Sequence, residues 1–252
     1  MASGLPMVHR GGIPAPAFPE AIIKTFAGKG LIEDQPRMIV EQQLMTPYWE
    51  DKKARLERIK IPAYVVASYT NAAHTHGSFG GFRGLASEEK WLRVNNTNEW
   101  LDFYTPKYSD ELLRFFNHYL KGESNGWEKT PRVRICVLDP GGKDQVDRVE
   151  TQWPPAQAKP RKLFLDGKGS LNLSPARGES KVRYEVAPHG AAEFRHVFER
   201  DTEITGYMSL RLWVEAEGAS DMELAISVEK RDANGKAFSQ LLGEGMTGAI
   251  SA

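Results

Sequence analysis

One cysteine, Cys136, is all that this 252-residue chain contains. A lone cysteine excludes an internal disulfide framework and suits a reducing compartment. Neither sign of charge dominates, because 33 basic residues balance 33 acidic ones. No global field is then available to recruit nucleic acid or an anionic membrane. Long apolar runs are also missing, and nothing approaches the ~18 consecutive apolar residues of a membrane helix. The opening MASGLPMVHRGGIP has no apolar core of a secretory signal. The expectation is a soluble, cytoplasmic protein with no nucleic-acid or membrane partner. A hydrophobic content of 40% is enough for a real core, in one large domain or two smaller ones.

Three regions differ in texture. Residues 1–58 open with a Pro/Gly-rich stretch, read as loop, and continue with helical signals. AIIKTFAG ends at Gly28 or Gly30, a plausible C-cap. Pro36 stands where a helix start tolerates a missing N–H. YWEDKKARLERI carries an apolar stripe of Tyr48, Ala54, Leu56 and Ile59. These read as short surface or lid helices.

Residues 59–128 alternate strand and helix. IKIPAYVVAS is a near-continuous apolar run ending in the polar loop that holds Asn71, His74 and His76. Such a run predicts a strand buried on both faces, as in a parallel sheet. KWLRVN, residues 90–95, is a second strand with a second polar loop. A helix is predicted over 109–121, with Ser109 as N-cap and Asp110 and Glu111 in the first turn. Its expected buried stripe is Leu112, Leu113, Phe116, Tyr119 and Leu120, and Gly122 closes it.

Residues 129–252 read as β. VRICVLD, RKLFLDG, VRYEV, TGYMSLRLWVEAEG and MELAISVEKRDANG are predicted strands. The clearest alternates Met208, Leu210, Leu212, Val214 and Ala216 against Ser209, Arg211, Trp213, Glu215 and Glu217. That period indicates an antiparallel sheet with one buried face, and the spacing suggests a β-sandwich. The end, LLGEGMTGAISA, shows no obvious final strand. The fold class is thus α/β followed by β.

Chemistry-bearing groups are few. G-x-S-x-G occurs at Gly122 to Gly126, around Ser124, but a nucleophile elbow needs a strand before it and a helix after it. Here a helix precedes the motif, so a helix end and a turn are the better reading. Ser78 is a weaker candidate. His74 and His76 lie where ligands collect, past the carboxyl end of a strand, and could line a substrate site or simply brace the loop. As an H-x-H pair they lack the third ligand that zinc requires, so no metal or other cofactor is implied. Asn cannot act as a general base. Glu99 and Asp102 could orient a histidine or remain solvated carboxylates. His118 is expected on a helix surface, and His189 and His196 have no evident partners. Cys136 reads as an inert core thiol. Trp213 is expected at an interface.

IPAYVVASYTNAAHTHGSFGGFR, KWLRVNNTNEW, LLRFFNHYLKGESNGWEKTPRVRICVLDPGG and DTEITGYMSLRLWVEAE resemble the CocE/NonD hydrolases, from about residue 40 to about 232. That group includes cocaine esterase, α-amino-acid ester hydrolases and X-Pro dipeptidyl-peptidases. The resemblance implies a partial α/β-hydrolase sheet with helical cap segments, then a partial jelly-roll β-sandwich. It also implies serine-nucleophile cleavage of a small-molecule ester, or of a peptide after a penultimate proline. The family's acid sits in the loop that holds Asn71 here. Its histidine falls at Asn95 or, in a shifted alignment, near Glu99. These three are the triad-equivalent positions, and none is a histidine. The nucleophile segment lies upstream of anything matched. A triad works as a unit, so the chain by itself is expected to be inactive, as a fragment or a degenerate copy. Four readings follow. They are a hydrolase active only when complete, a non-enzymatic binding module, half of a split hydrolase needing a complementing chain, and a shifted triad of Ser78, His74 and Asp102. Truncated sheets leave unpaired edges, so self-association is a further expectation.

Overall fold

The structure is a computed structural model that describes residues 9–10, 13–14, 17–25, 29–31, 33–70, 74–97, 99–185, 190–222, 224–238, 240–243 and 246–248. Two compact units divide the chain. One comprises residues 1–152 with 208–252, and the other residues 153–207.

The first unit is built on a four-stranded sheet ordered β3-β4-β5-β6, where β3 is Ala63–Ser68, β4 Lys90–Asn95, β5 Val133–Val137 and β6 Gln145–Glu150. β3, β4 and β5 run parallel, and β6 returns antiparallel to β5. The two expected parallel strands are therefore present. β5, read from sequence as the first strand of the sandwich, instead pairs with β4. β4 is buried on both faces. Leu92 and Val94 lie on one side, and Trp91, Arg93 and Asn95 on the other.

Short helices precede the sheet. They are α1 (Ala17–Ile23), α2 (Gln35–Glu41) and α3 (Pro47–Lys52). α1 and a two-residue pairing of β1 (His9–Arg10) with β2 (Ile13–Pro14) replace part of the expected N-terminal loop. Pro36 sits in the first turn of α2, and the Asp34 side chain caps it by accepting from Arg37 N. α3 ends at Lys52, so YWEDKKARLERI is not one helix. A separate 3-10 turn covers Leu56–Arg58. Ile39 and Trp49 form a small core with Tyr48. The Gly28 cap position lies outside the described residues.

α4 (Thr75–Gly84) follows β3 and replaces most of the expected polar loop. Its glycines are poor helix formers, so tertiary packing decides it. Phe79 is buried and stacks on Tyr69. Gly84 abuts Leu56 so closely that a Cβ there would stand 2.7 Å from the leucine Cδ1.

α5 (Glu99–Phe103) and α6 (Pro106–Lys121) follow β4. α6 starts three residues before the expected Ser109 cap. Pro106 occupies its first turn after Thr105, and Ser109 Oγ instead bonds the Pro106 carbonyl at 3.1 Å. The buried face differs accordingly. Phe115 is buried and meets Trp91, Trp127, Tyr64 and Tyr119, with ring centroids 5.1 Å apart for Phe115–Trp127 and 5.2 Å for Trp91–Trp127. Leu113, Phe116 and Leu120 are exposed. Aromatic rings near β4 claim the contact that a purely apolar stripe would assign to leucine. Gly122 closes α6 in the left-handed conformation, φ 70°.

The remaining β expectations are met in part. RKLFLDG contributes only β7 (Phe164–Leu165), paired with β8 (Leu171–Asn172) in the second unit. Residues 207–217 and the described residues of 222–230 carry no ladder, and Met208, Leu210, Leu212 and Val214 are exposed, as is Trp213 at 88%. Alternation supplies a face, but a strand exists only through a hydrogen-bonded neighbour. The C-terminal stretch, expected to lack a strand, holds a hairpin of β9 (Gln240–Gly243) and β10 (Met246–Gly248).

Candidate functional site

The candidate site is the carboxyl end of β3 and β4. In-register pairing places Ser68 beside Asn95. Ser68 Oγ donates to the Thr97 carbonyl at 2.5 Å and accepts from Thr70 N at 3.0 Å. The Ser68 carbonyl accepts from Thr75 Oγ1. One serine thus ties the β3 loop, the β4 loop and the start of α4 together. Asn96 Nδ2 donates to Asp144 Oδ2 at 2.8 Å, anchoring the same loop to the segment before β6.

Asn95 itself is 3% exposed, and neither amide atom has a hydrogen-bond partner among the described residues. An unpaired buried amide costs on the order of 1–3 kcal/mol per group. Asn71 lies outside the described residues. Glu99 opens α5. His74 precedes α4 and His76 is in its first turn, and both are exposed.

Two residues back along β4, the same face carries a buried charged network that sequence reasoning missed. Arg93 on β4 donates from both terminal guanidinium nitrogens to the Asp102 carboxylate from α5. Arg134 on β5 does the same with Glu111 on α6, at 2.7 and 2.6 Å. Tyr64 on β3 accepts from Arg93 Nε at 2.9 Å and donates to Glu111. Tyr108 stacks on Arg93 with 3.8 Å between guanidinium carbon and ring centroid. The legible signal was arginine inside two apolar strands, KWLRVN and VRICV, because a buried cation demands a carboxylate partner.

Burial opposes ionisation of Glu111, but hydrogen bonds from Arg134 and Tyr64 and both guanidinium charges outweigh it, so its carboxyl is held below the usual range. Burial likewise opposes ionisation of Asp147, and the Lys107 hydrogen bond and charge hold it low. Burial pushes the Cys136 thiol up to about 11, as an inert core thiol requires.

This arrangement positions the loops at the strand ends through Ser68 and Asn96. Both Asp102 oxygens accept from Arg93. Ser78 is inside α4, and Ser124 is exposed in the turn after α6. His118 stands near the end of α6, 3.0 Å from the Glu123 carbonyl. His196 meets the Leu171 carbonyl in the second unit, and His189 lies outside the described residues. Among the described residues no group of three or more His, Cys, Asp or Glu could hold a metal. No described helix is long and apolar enough to cross a membrane.

Three parallel strands whose ends carry the loops, with a fourth antiparallel and helices following β3 and β4, make this an α/β sheet. The chain belongs to the family of X-Pro dipeptidyl-peptidase C-terminal non-catalytic domains, which matches residues 125–250. It is similar to two solved structures of a CocE/NonD family hydrolase from Staphylococcus aureus. One is 32% identical with a TM-score of 0.62, covering 66% of this chain and 31% of that one. The other is 30% identical with a TM-score of 0.64, covering 69% and 33%. The chain thus spans about a third of the length of these solved relatives. A search of curated proteins returned no match.

Proposed function

We propose that these 252 residues form a non-hydrolysing module of the CocE/NonD lineage. In this reading residues 59–128 are the closing part of an α/β-hydrolase sheet and residues 129–252 belong to a jelly-roll-type sandwich. Asn71, Asn95 and Glu99 occupy the triad-equivalent positions, and His74 and His76 border the place where an ester or X-Pro peptide would lie in a complete enzyme.

The observation that carries the proposal is Asn95. It stands at the end of a parallel strand, buried and without a hydrogen-bond partner among the described residues, at one of the two positions, Asn95 or near Glu99, where the resemblance puts a histidine. A carboxamide has no pKa useful for proton transfer. Losing the histidine of a serine triad removes about 10⁶ in kcat. The non-catalytic family matched by the later half of the chain supports the same reading.

The test is labelling of the folded chain with a fluorophosphonate, read by mass spectrometry, together with turnover of a p-nitrophenyl ester. The expected result is no serine adduct and no turnover above buffer. A stoichiometric adduct on Ser78 or Ser124, with turnover, overturns the proposal.

A further inference from the structure

We infer that Asn234 is a site of spontaneous deamidation, and that its conversion to isoaspartate opens the hairpin in which it sits. Asparagine followed by glycine occurs twice in the sequence, at Asn125-Gly126 and Asn234-Gly235. The glycine matters because no Cβ shields its backbone nitrogen from the preceding side chain. In the reaction the Gly235 nitrogen attacks Cγ of the Asn234 carboxamide. The new C–N bond closes a cyclic imide, the bond from Cγ to Nδ2 breaks, and the glycine proton leaves with the amide group as ammonia. Water then opens the imide at either carbonyl, giving aspartate or isoaspartate. No oxidant, metal or enzyme takes part.

The fold separates the two asparagines. Asn125 is pinned at both ends of its side chain, with Nδ2 donating to the Arg114 carbonyl at 2.8 Å and Oδ1 accepting from Trp127 N at 3.2 Å. Trp127 is fully buried, so turning the Asn125 carboxamide towards Gly126 breaks two bonds beside the core. Asn234 is exposed at a hairpin tip with Gly235 and Lys236, and its carboxamide has no hydrogen-bond partner among the described residues. Gly235 adopts φ 82°, and a Cβ there would meet nothing within 4 Å. One bond restrains the attacking nitrogen, from Gly235 N to the Asp232 carbonyl at 3.0 Å. An exposed turn of this kind opens locally at low cost.

The hairpin is short enough to feel one extra backbone atom. Asp232 N donates to the Lys236 carbonyl and Phe238 N to the Lys230 carbonyl, both at 2.9 Å, and Arg231 pairs with Ala237. Isoaspartate routes the main chain through the side-chain methylene, and loop length fixes hairpin register, so this pairing is lost. Lys230 also pairs with Asp139, and the Phe238 ring lies against Gly141. The turn between β5 and β6 therefore loses its cover when the hairpin opens.

The test is ageing of the full chain in mildly alkaline buffer, folded and in parallel unfolded by urea. Mass spectrometry follows the peptides that contain Asn125 and Asn234, and labelling by an isoaspartyl methyltransferase separates isoaspartate from aspartate. Unfolded, the two sites are expected to convert at similar rates. Folded, Asn234 is expected to convert at least about fivefold faster than Asn125, the factor that one net hydrogen bond represents. The aged folded chain is expected to exchange its Asp232 and Phe238 amide protons faster than fresh protein, with exchange in β4 unchanged. An Asn234→Gln variant aged in the same way is expected to keep the fresh pattern. A folded chain in which Asn234 stays intact, or in which Asn125 keeps pace with it, overturns the inference. So does isoaspartate at position 234 that leaves Asp232 and Phe238 exchange unchanged, or an aged Asn234→Gln chain that shows the same faster exchange.

Discussion

Arg93 is 3% exposed, and both of its outer nitrogens rest on Asp102. Removing one partner of such a pair leaves a bare charge in the core, which costs about 3–5 kcal/mol. Replacing both partners by apolar residues of similar size removes that charge and restores most of the loss. Asp102→Ala is therefore expected to be the more damaging change, and Arg93→Met with Asp102→Leu the milder one. Urea unfolding midpoints of the three proteins check this order, and a double variant no more stable than Asp102→Ala would contradict it. The pair was only half legible in the sequence. A charge inside KWLRVN announces that a partner is needed, but its identity depends on α5 folding back over β4. Asp102 reads equally well as a solvated loop carboxylate until that happens.

α6 shows which element boundaries composition can locate. Gly122 was legible as its end because the left-handed cap, here at φ 70°, suits glycine above all other residues. A Cβ at Gly122 would meet nothing within 4 Å. Gly122→Ala is thus expected to cost about 1 kcal/mol through the backbone alone, seen as a lower melting temperature with an unchanged circular dichroism spectrum. The start of α6 was less legible. Ser109 and Thr105 are both good caps, and Pro106 in the first turn decides between them. The buried stripe was misassigned because hydrophobicity ranks Leu113 and Leu120 as high as Phe115. Only the ring cluster of Trp91 and Trp127 shows which side of the helix has somewhere to go. The stretch 207–217 carries a similar lesson. Its alternation was real, but alternation does not create a neighbouring strand.

For the whole molecule, the buried network makes stability depend on acid. Glu111 and Asp147 have carboxyl pKa values held below the ordinary range. A group with a depressed folded pKa contributes stability above its unfolded value, near 4. That contribution is lost as pH falls through the lower folded value. Glu111→Gln removes the charge at every pH. The variant is expected to be less stable than wild type at neutral pH, and the gap is expected to close as pH falls below about 4. Denaturant unfolding at several pH values checks this, and a gap that stays constant into acid would exclude Glu111 as a source of the dependence.

The parallel strands, the close of α6, the place of Cys136 in a buried strand and the lack of a general base in the Asn95 side chain were determined by the sequence itself. Each depends on local chemistry, whether an apolar run, a permitted φ, a thiol in an apolar strand or a side chain without a pKa. Tertiary structure alone decided that Arg93 meets Asp102, that Arg134 and Tyr64 meet Glu111, and that β5 joins the first sheet. Those outcomes depend on which distant segments pack together, and pairing across tens of residues leaves no periodic trace in the chain.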